Sequence, residues 1–214
     1  MNQFAYRNFY RRNLPHIQPE GATLFITFRL ANSLPPEVIE RLKAEKEQVE
    51  EIINQITDKS EREKLLYLER RRFFSKWDNA LDSLTYGECY LSNPQIAELI
   101  VESLHYRNGK VFEMEAFCIM PNHGHLVCTS LKDANGKYYS LSKIMHSLKR
   151  YTAREANLIL GRTGVFWQHE NYDRFVRDET ELERIIKCVL NNPVKAGLVD
   201  DWTKWKWSYC KYDM

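Results

Sequence analysis

The amino-acid sequence predicts an α+β fold: a ferredoxin-like split βαβ domain with a central antiparallel sheet, a helical insertion after the first strand and an aromatic C-terminal tail. Three observations lead there. Segments of period-two and period-3.6 hydrophobicity follow one another as strand, helix, strand, strand, helix, strand. A run dense in Glu, Lys and Arg, from Glu37 to about Asp78, interrupts that order after its first strand. Finally, Trp202, Trp205, Trp207, Tyr209 and Tyr212 are interleaved with lysines at the end. A chain of 214 residues suffices for one domain with additions: a basic and aromatic arm at 1–20, the insertion at 37–80 and the tail at 200–214.

Each element has a local cause. In the first strand, Ala22 to Leu30, the side chains of Leu24, Ile26, Phe28 and Leu30 alternate with Thr23, Thr27 and Arg29. Leu34-Pro35-Pro36 ends it, and Val38, Ile39, Leu42, Val49, Ile52 and Ile53 recur through the charged run as one or two amphipathic helices. Ser92-Asn93-Pro94 starts a helix, with a capping residue and proline in the first turn, Ile96, Leu99, Ile100 and Leu104 form its buried stripe, and Asn108-Gly109 ends it. Val111 to Met120 and His123 to Thr129 are consecutive strands joined at Pro121-Asn122. The helix from Leu141 to Leu160 ends at Gly161, a short strand spans Tyr172 to Val176, and Asp178-x-x-Glu181 resembles a capping box for a helix ending at Asn192-Pro193.

Composition narrows the class. With 43% hydrophobic and 28% charged residues the chain matches a globular protein. No apolar run approaches the roughly 20 residues needed to span a bilayer, so no membrane partner is expected. The opening residues lack the apolar core of a signal peptide, which makes the cytoplasm the expected location. Five scattered cysteines with no C-x-x-C pair argue against both a disulfide framework and a zinc ribbon. A formal charge of +2 does not announce a nucleic-acid partner, so local charge matters more.

The chemistry concentrates in Met120-Pro121-Asn122-His123-Gly124-His125. Histidines at i and i+2 point to one side of a strand and can hold one metal ion together. Tyr151 and Glu155, at i and i+4, share a flank of the following helix, with Lys149, Arg150 and Arg154 beside them. A strand bearing two imidazoles that faces a helix bearing a phenol and a carboxylate is a candidate metal-assisted nucleophilic site. The structural alternative is a pair of hydrogen-bonded histidines on a half-buried strand, with Tyr151 a boundary aromatic.

Arg11-Arg12-Asn13-Leu14-Pro15-His16, Phe25 to Leu30, Met120 to His125, Leu148-Lys149-Arg150-Tyr151, Trp167-Gln168, Tyr172-Asp173-Arg174 and Asn191 to Leu198 together resemble the REP-associated tyrosine transposases, single-tyrosine HUH enzymes. The resemblance implies cleavage and rejoining of single-stranded DNA at hairpin-flanked sites through a 5′-phosphotyrosine. His123 and His125 would be the HUH pair, Tyr151 the nucleophile and Glu155 a third ligand of a Mg²⁺ or Mn²⁺ ion. The partner implied is single-stranded or hairpin DNA of the REP palindrome kind, and a homodimer and association with the nucleoid are expected alongside it. Arg11, Arg12, His16, Arg174 and Arg177 are the candidate hairpin contacts, with base stacking from Trp167. Lys149, Arg150 and Arg154 extend the DNA-binding set. Gly124 departs from the bulky apolar residue usual at the centre of the HUH motif; the expected consequence is a core lacking one side chain behind the ligands. Two rivals follow from the same residues: a hairpin-binding protein that no longer cleaves, and a Zn²⁺-dependent hydrolase.

Overall fold

The computed structural model describes residues 9–11, 15–83 and 86–213, with side chains from Gln18 onward. Two compact units result: Met1–Ala31 with Cys89–Met214, and Asn32–Glu88.

The first unit is built on a sheet of β3 (Thr23–Arg29), β4 (Phe112–Ile119), β5 (His123–Ser130), β6 (Tyr172–Phe175) and β7 (Ser208–Cys210). The strand order is β6-β3-β5-β4-β7, every pairing antiparallel. The histidine strand β5 is therefore central, as the split βαβ layout predicts, and the aromatic tail supplies the edge strand β7, which the sequence did not announce. A separate two-stranded ribbon, β1 (Phe9–Arg11) with β2 (Pro15–Ile17), precedes the sheet. Arg12 lies outside the described residues, and Arg11 and His16 are placed on the ribbon by backbone alone.

The helices of this unit are α3 (Pro94–Arg107), α4 (Leu141–Ile159) and α5 (Glu179–Lys195). Ile96, Ile100 and Leu104 of α3 and Ile144, Leu148 and Ala156 of α4 form one core with Ile26, Phe28, Leu126 and Cys128 of the sheet. Each such buried aliphatic or aromatic side chain contributes about 1.5–3 kcal/mol. Because strand residues alternate faces, α3 and α4 cover the face carrying Gly124, Leu126 and Cys128, and His123, His125 and Val127 occupy the opposite face.

That opposite face belongs to α5, which packs on β4 and β5. Asp178 caps α5 by accepting from the Glu181 amide at 2.8 Å. The helix does not stop at Asn192-Pro193 but continues to Lys195. Proline removes a single amide bond in the last turn, and the end comes at Gly197 (φ +70°), with Leu198 N–H donating to Pro193 O and Gly197 N–H to Val194 O.

The second unit is the charged insertion, folded as a pair of helices, α1 (Pro36–Asn54) and α2 (Lys59–Asp82). Lys46 is buried over the Phe73 ring at 5.2 Å, and Lys76 pairs with Glu45. In the Arg70-Arg71-Arg72-Phe73-Phe74 run, Phe73 is buried and Arg72 meets Glu69 at 3.7 Å.

Candidate metal centre and DNA-binding groups

His123 and His125 lie side by side on β5, both with no exposed surface, their rings nearly perpendicular at 80°. Their Nε2 atoms are 3.0 Å apart. His123 Nδ1 is 2.6 Å from Asn122 Oδ1, so Nδ1 carries the proton and Nε2 presents a lone pair. His125 Nδ1 is 2.9 Å from the Thr27 hydroxyl, which donates or accepts as needed. His125 can therefore donate Nε2–H to His123, or take the other tautomer and turn a second Nε2 lone pair toward the same point.

Burial, foremost, holds both imidazoles neutral: it drives His123 far below its ordinary range and His125 to about 3, and the Lys195 ammonium on α5 adds to both effects. Neutral imidazole is the ligating form. Two nitrogens at about 2.1 Å from an octahedral ion, on adjacent positions, stand about 3.0 Å apart, so this donor pair fits a divalent cation. Hydrogen bonds at each Nδ1 are the supports that metal-bound histidines ordinarily have. Thr27, Asn122 and Lys195 were not singled out from the sequence. Lys195 sits in the Asn-Asn-Pro-Val-Lys-Ala-Gly-Leu motif, but only the packing of α5 brings it beside the histidines.

The structure does not set Tyr151 and Glu155 facing this pair. Both are on α4, whose buried stripe points at the Gly124 face of the sheet, so the two halves of the expected site lie on elements against opposite faces. Two strand positions alternate, and a helix can cover only one side. Tyr151 is 45% exposed, and Glu155 accepts from Arg154 at 2.6 Å. The helix over the histidines, α5, contains no tyrosine.

Other expected DNA contacts are redistributed too. Trp167 is buried, donates Nε1–H to Thr152 Oγ1 at 2.9 Å and stands edge-on to Phe28, so its ring is core and offers no face for base stacking. Arg174 meets the Glu181 carboxylate at 2.5 Å, and Arg177 lies 5.9 Å over the Phe175 ring. Arg150 is exposed, and Arg154 pairs with Glu155 while remaining largely exposed.

Lys149 is half-buried, and its Nζ donates to Gln168 O at 2.6 Å and His169 O at 3.3 Å. Burial, with the neighbouring Arg29 guanidinium, lowers its pKa to about 7 against the opposing pull of Glu170. Between about 7 and its ordinary 10.5 the unfolded chain holds a proton that the folded chain has released. Stability therefore falls as pH drops through that window and levels off below it, with a slope of up to about 1.4 kcal/mol per pH unit. Urea unfolding at pH 7.5 and 9.5 should show this difference in the wild type and a smaller one in Lys149→Met.

No family model matches the chain. A protein of Haemophilus influenzae described as a REP-associated tyrosine transposase is 26% identical over 102 residues, covering 45% of this chain and 58% of that protein. The chain resembles a REP-associated tyrosine transposase. It spans less than two thirds of that relative's length. A solved structure of a REP-associated tyrosine transposase bound to a REP hairpin matches 93% of this chain and 80% of the other, at 16% identity and a TM-score of 0.48. Among the described residues no helix is long and apolar enough to cross a membrane.

Proposed function

We propose that this chain is a transposase-type protein that binds hairpin-bearing single-stranded DNA and brings a phosphodiester to a divalent ion held by His123 and His125. The observation that carries the reading is the histidine pair itself: two neutral, buried imidazoles with Nε2 atoms 3.0 Å apart, each oriented from behind through Nδ1. Similarity to a tyrosine transposase supports the DNA substrate. A bound Mg²⁺ or Mn²⁺ would supply Lewis-acid polarisation of a phosphoryl oxygen. Lys195, beside the pair, would add positive charge toward the phosphate.

Tyr151 is the proposed nucleophile, forming a 5′-phosphotyrosine and releasing a 3′ hydroxyl. Because α4 packs on the other face of its own sheet, Tyr151 is proposed to serve the histidine pair of a second copy. The second reading to be separated from this one is hairpin binding without cleavage.

The test is incubation of the protein with a labelled hairpin carrying single-stranded flanks and Mn²⁺, resolved on a denaturing gel. A metal-dependent covalent band, absent from Tyr151→Phe and from His123→Ala but restored by mixing the two variants, is the expected result. A band that persists in Tyr151→Phe removes Tyr151 from the chemistry. Hairpin binding with no band leaves the second reading.

A further inference from the structure

On the helical side of the sheet, α3 and α4 enclose a groove of about 900 Å³ whose residues none of the chemistry at the histidines uses, apart from the proposed role of Tyr151. That volume lies at the upper end of the roughly 300–1,000 Å³ usual for ligand sites. Its rim carries Arg107, Arg150 and Arg154 with a single acid, Glu102. Two tyrosines stand in the same groove, Tyr106 at 68% exposure and Tyr151 at 45%. The two rings share the groove with these cations, an arrangement that suits stacked bases and phosphates.

The groove is built rather than incidental. Arg107 reaches across it: its guanidinium donates to Ser103 O at 2.8 Å and to Ser103 Oγ on α3, and to Ser147 Oγ of α4 at 3.1 Å. Partial burial weakens its hold on its proton, and Tyr106 and Tyr151 act in the opposite direction. Lys110 Nζ sits 3.5 Å from the Tyr106 ring centroid. Arg154 is partly neutralised by Glu155, whereas Arg150 makes no ion pair among the described residues. Cations thus exceed acids, and flat π-faces lie between them.

We propose that the α3–α4 groove binds single-stranded DNA, with bases stacked on Tyr106 and Tyr151 and phosphates held by Arg107 and Arg150. The inference rests on the DNA-binding reading above and adds a second contact surface, on the sheet face opposite the histidine pair. Stacking on phenol rings and charge on phosphates carry no base-edge readout, so the groove accepts any sequence.

The test uses the full chain and a fluorescent dT8 oligonucleotide, titrated by anisotropy at several salt concentrations beside a blunt-ended hairpin. Tyr106→Ala and Tyr151→Ala should each weaken dT8 binding about 5–150-fold, as loss of one stacked base implies, while Tyr151→Phe, which keeps the ring, leaves it unchanged. Arg150→Ala should lower the salt slope by about 0.7, and Lys137→Ala, outside the groove, should not. Unchanged dT8 affinity in Tyr106→Ala, Tyr151→Ala and Arg150→Ala overturns the groove. So does a hairpin bound by a protein that ignores dT8, and in both cases the hairpin-binding reading survives. A Tyr106→Ala that changes oligomeric state in sedimentation, with dT8 binding intact, makes the groove a self-association surface and overturns the proposal. Failure to bind either DNA brings down the Proposed function and the groove together.

Discussion

Replacing His123 and His125 together by alanine is expected to abolish Mn²⁺ binding, with a loss of more than about 100-fold in affinity by titration calorimetry, and to leave hairpin affinity near the wild-type value. The two Nε2 atoms converge on one point from fixed rings, so neither a water nor a neighbouring backbone group can replace them. Each single variant should retain weak binding through the remaining imidazole. Thr27→Val gives a graded control: it removes the hydroxyl at 2.9 Å from His125 Nδ1 without touching the ligand atoms, and a loss of about 10–100-fold is the ordinary cost of such a support. Mn²⁺ affinity that survives the double alanine variant would place the ion elsewhere and remove the basis of the proposed chemistry. Both variants need a thermal melt beside the titration, since two buried rings are lost in the first.

The second large effect is expected at Gly124. The absence of a side chain at the centre of the H-x-H motif was expected to leave a gap behind the ligands. The structure shows the reverse, because a Cβ built there would come within 2.6 Å of Phe28 Cζ and 3.1 Å of Ile119 Cδ1. Phe28 has filled the space, and it is fully buried with Trp167 edge-on against it. Gly124→Leu should therefore destabilise the fold by about 1–3 kcal/mol or more through overpacking. Phe28→Ala, which opens the cavity, should cost about 3–5 kcal/mol. The double variant should be less damaged than the sum of the two, with a coupling of about 0.5–3 kcal/mol by urea unfolding. Strict additivity would mean that Phe28 does not occupy the place of the missing side chain.

Much of the fold was legible because its signals are local. Strand β3, the strand pair around Pro121-Asn122, and helices α3 and α4 each follow from periodicity plus a capping or turn residue, and each stands where the sequence puts it. The misses are of two kinds. At Pro193 the general rule that proline ends a helix lost to a cheap exception, since one missing amide in a last turn costs little and Gly197 terminates the helix instead. Around Trp167 the aromatic and basic composition suggests a stacking surface, and in the tail the same composition gives no sign of a strand. Ser208–Cys210 extends the sheet and Trp167 joins the core, because a large ring gains more from burial than from display.

The sequence by itself determined which residues could act together along one element: His123 with His125 by the two-residue period, Tyr151 with Glu155 by the helical turn. Only the tertiary structure decided which of those pairs could meet. A sheet has two faces, and the face that a helix covers depends on where apolar side chains from distant segments find the most surface to bury. Leu126, Cys128 and Phe28 drew α3 and α4 to one side. The histidines were left to α5, and an arginine- and tyrosine-lined groove was left on the other side.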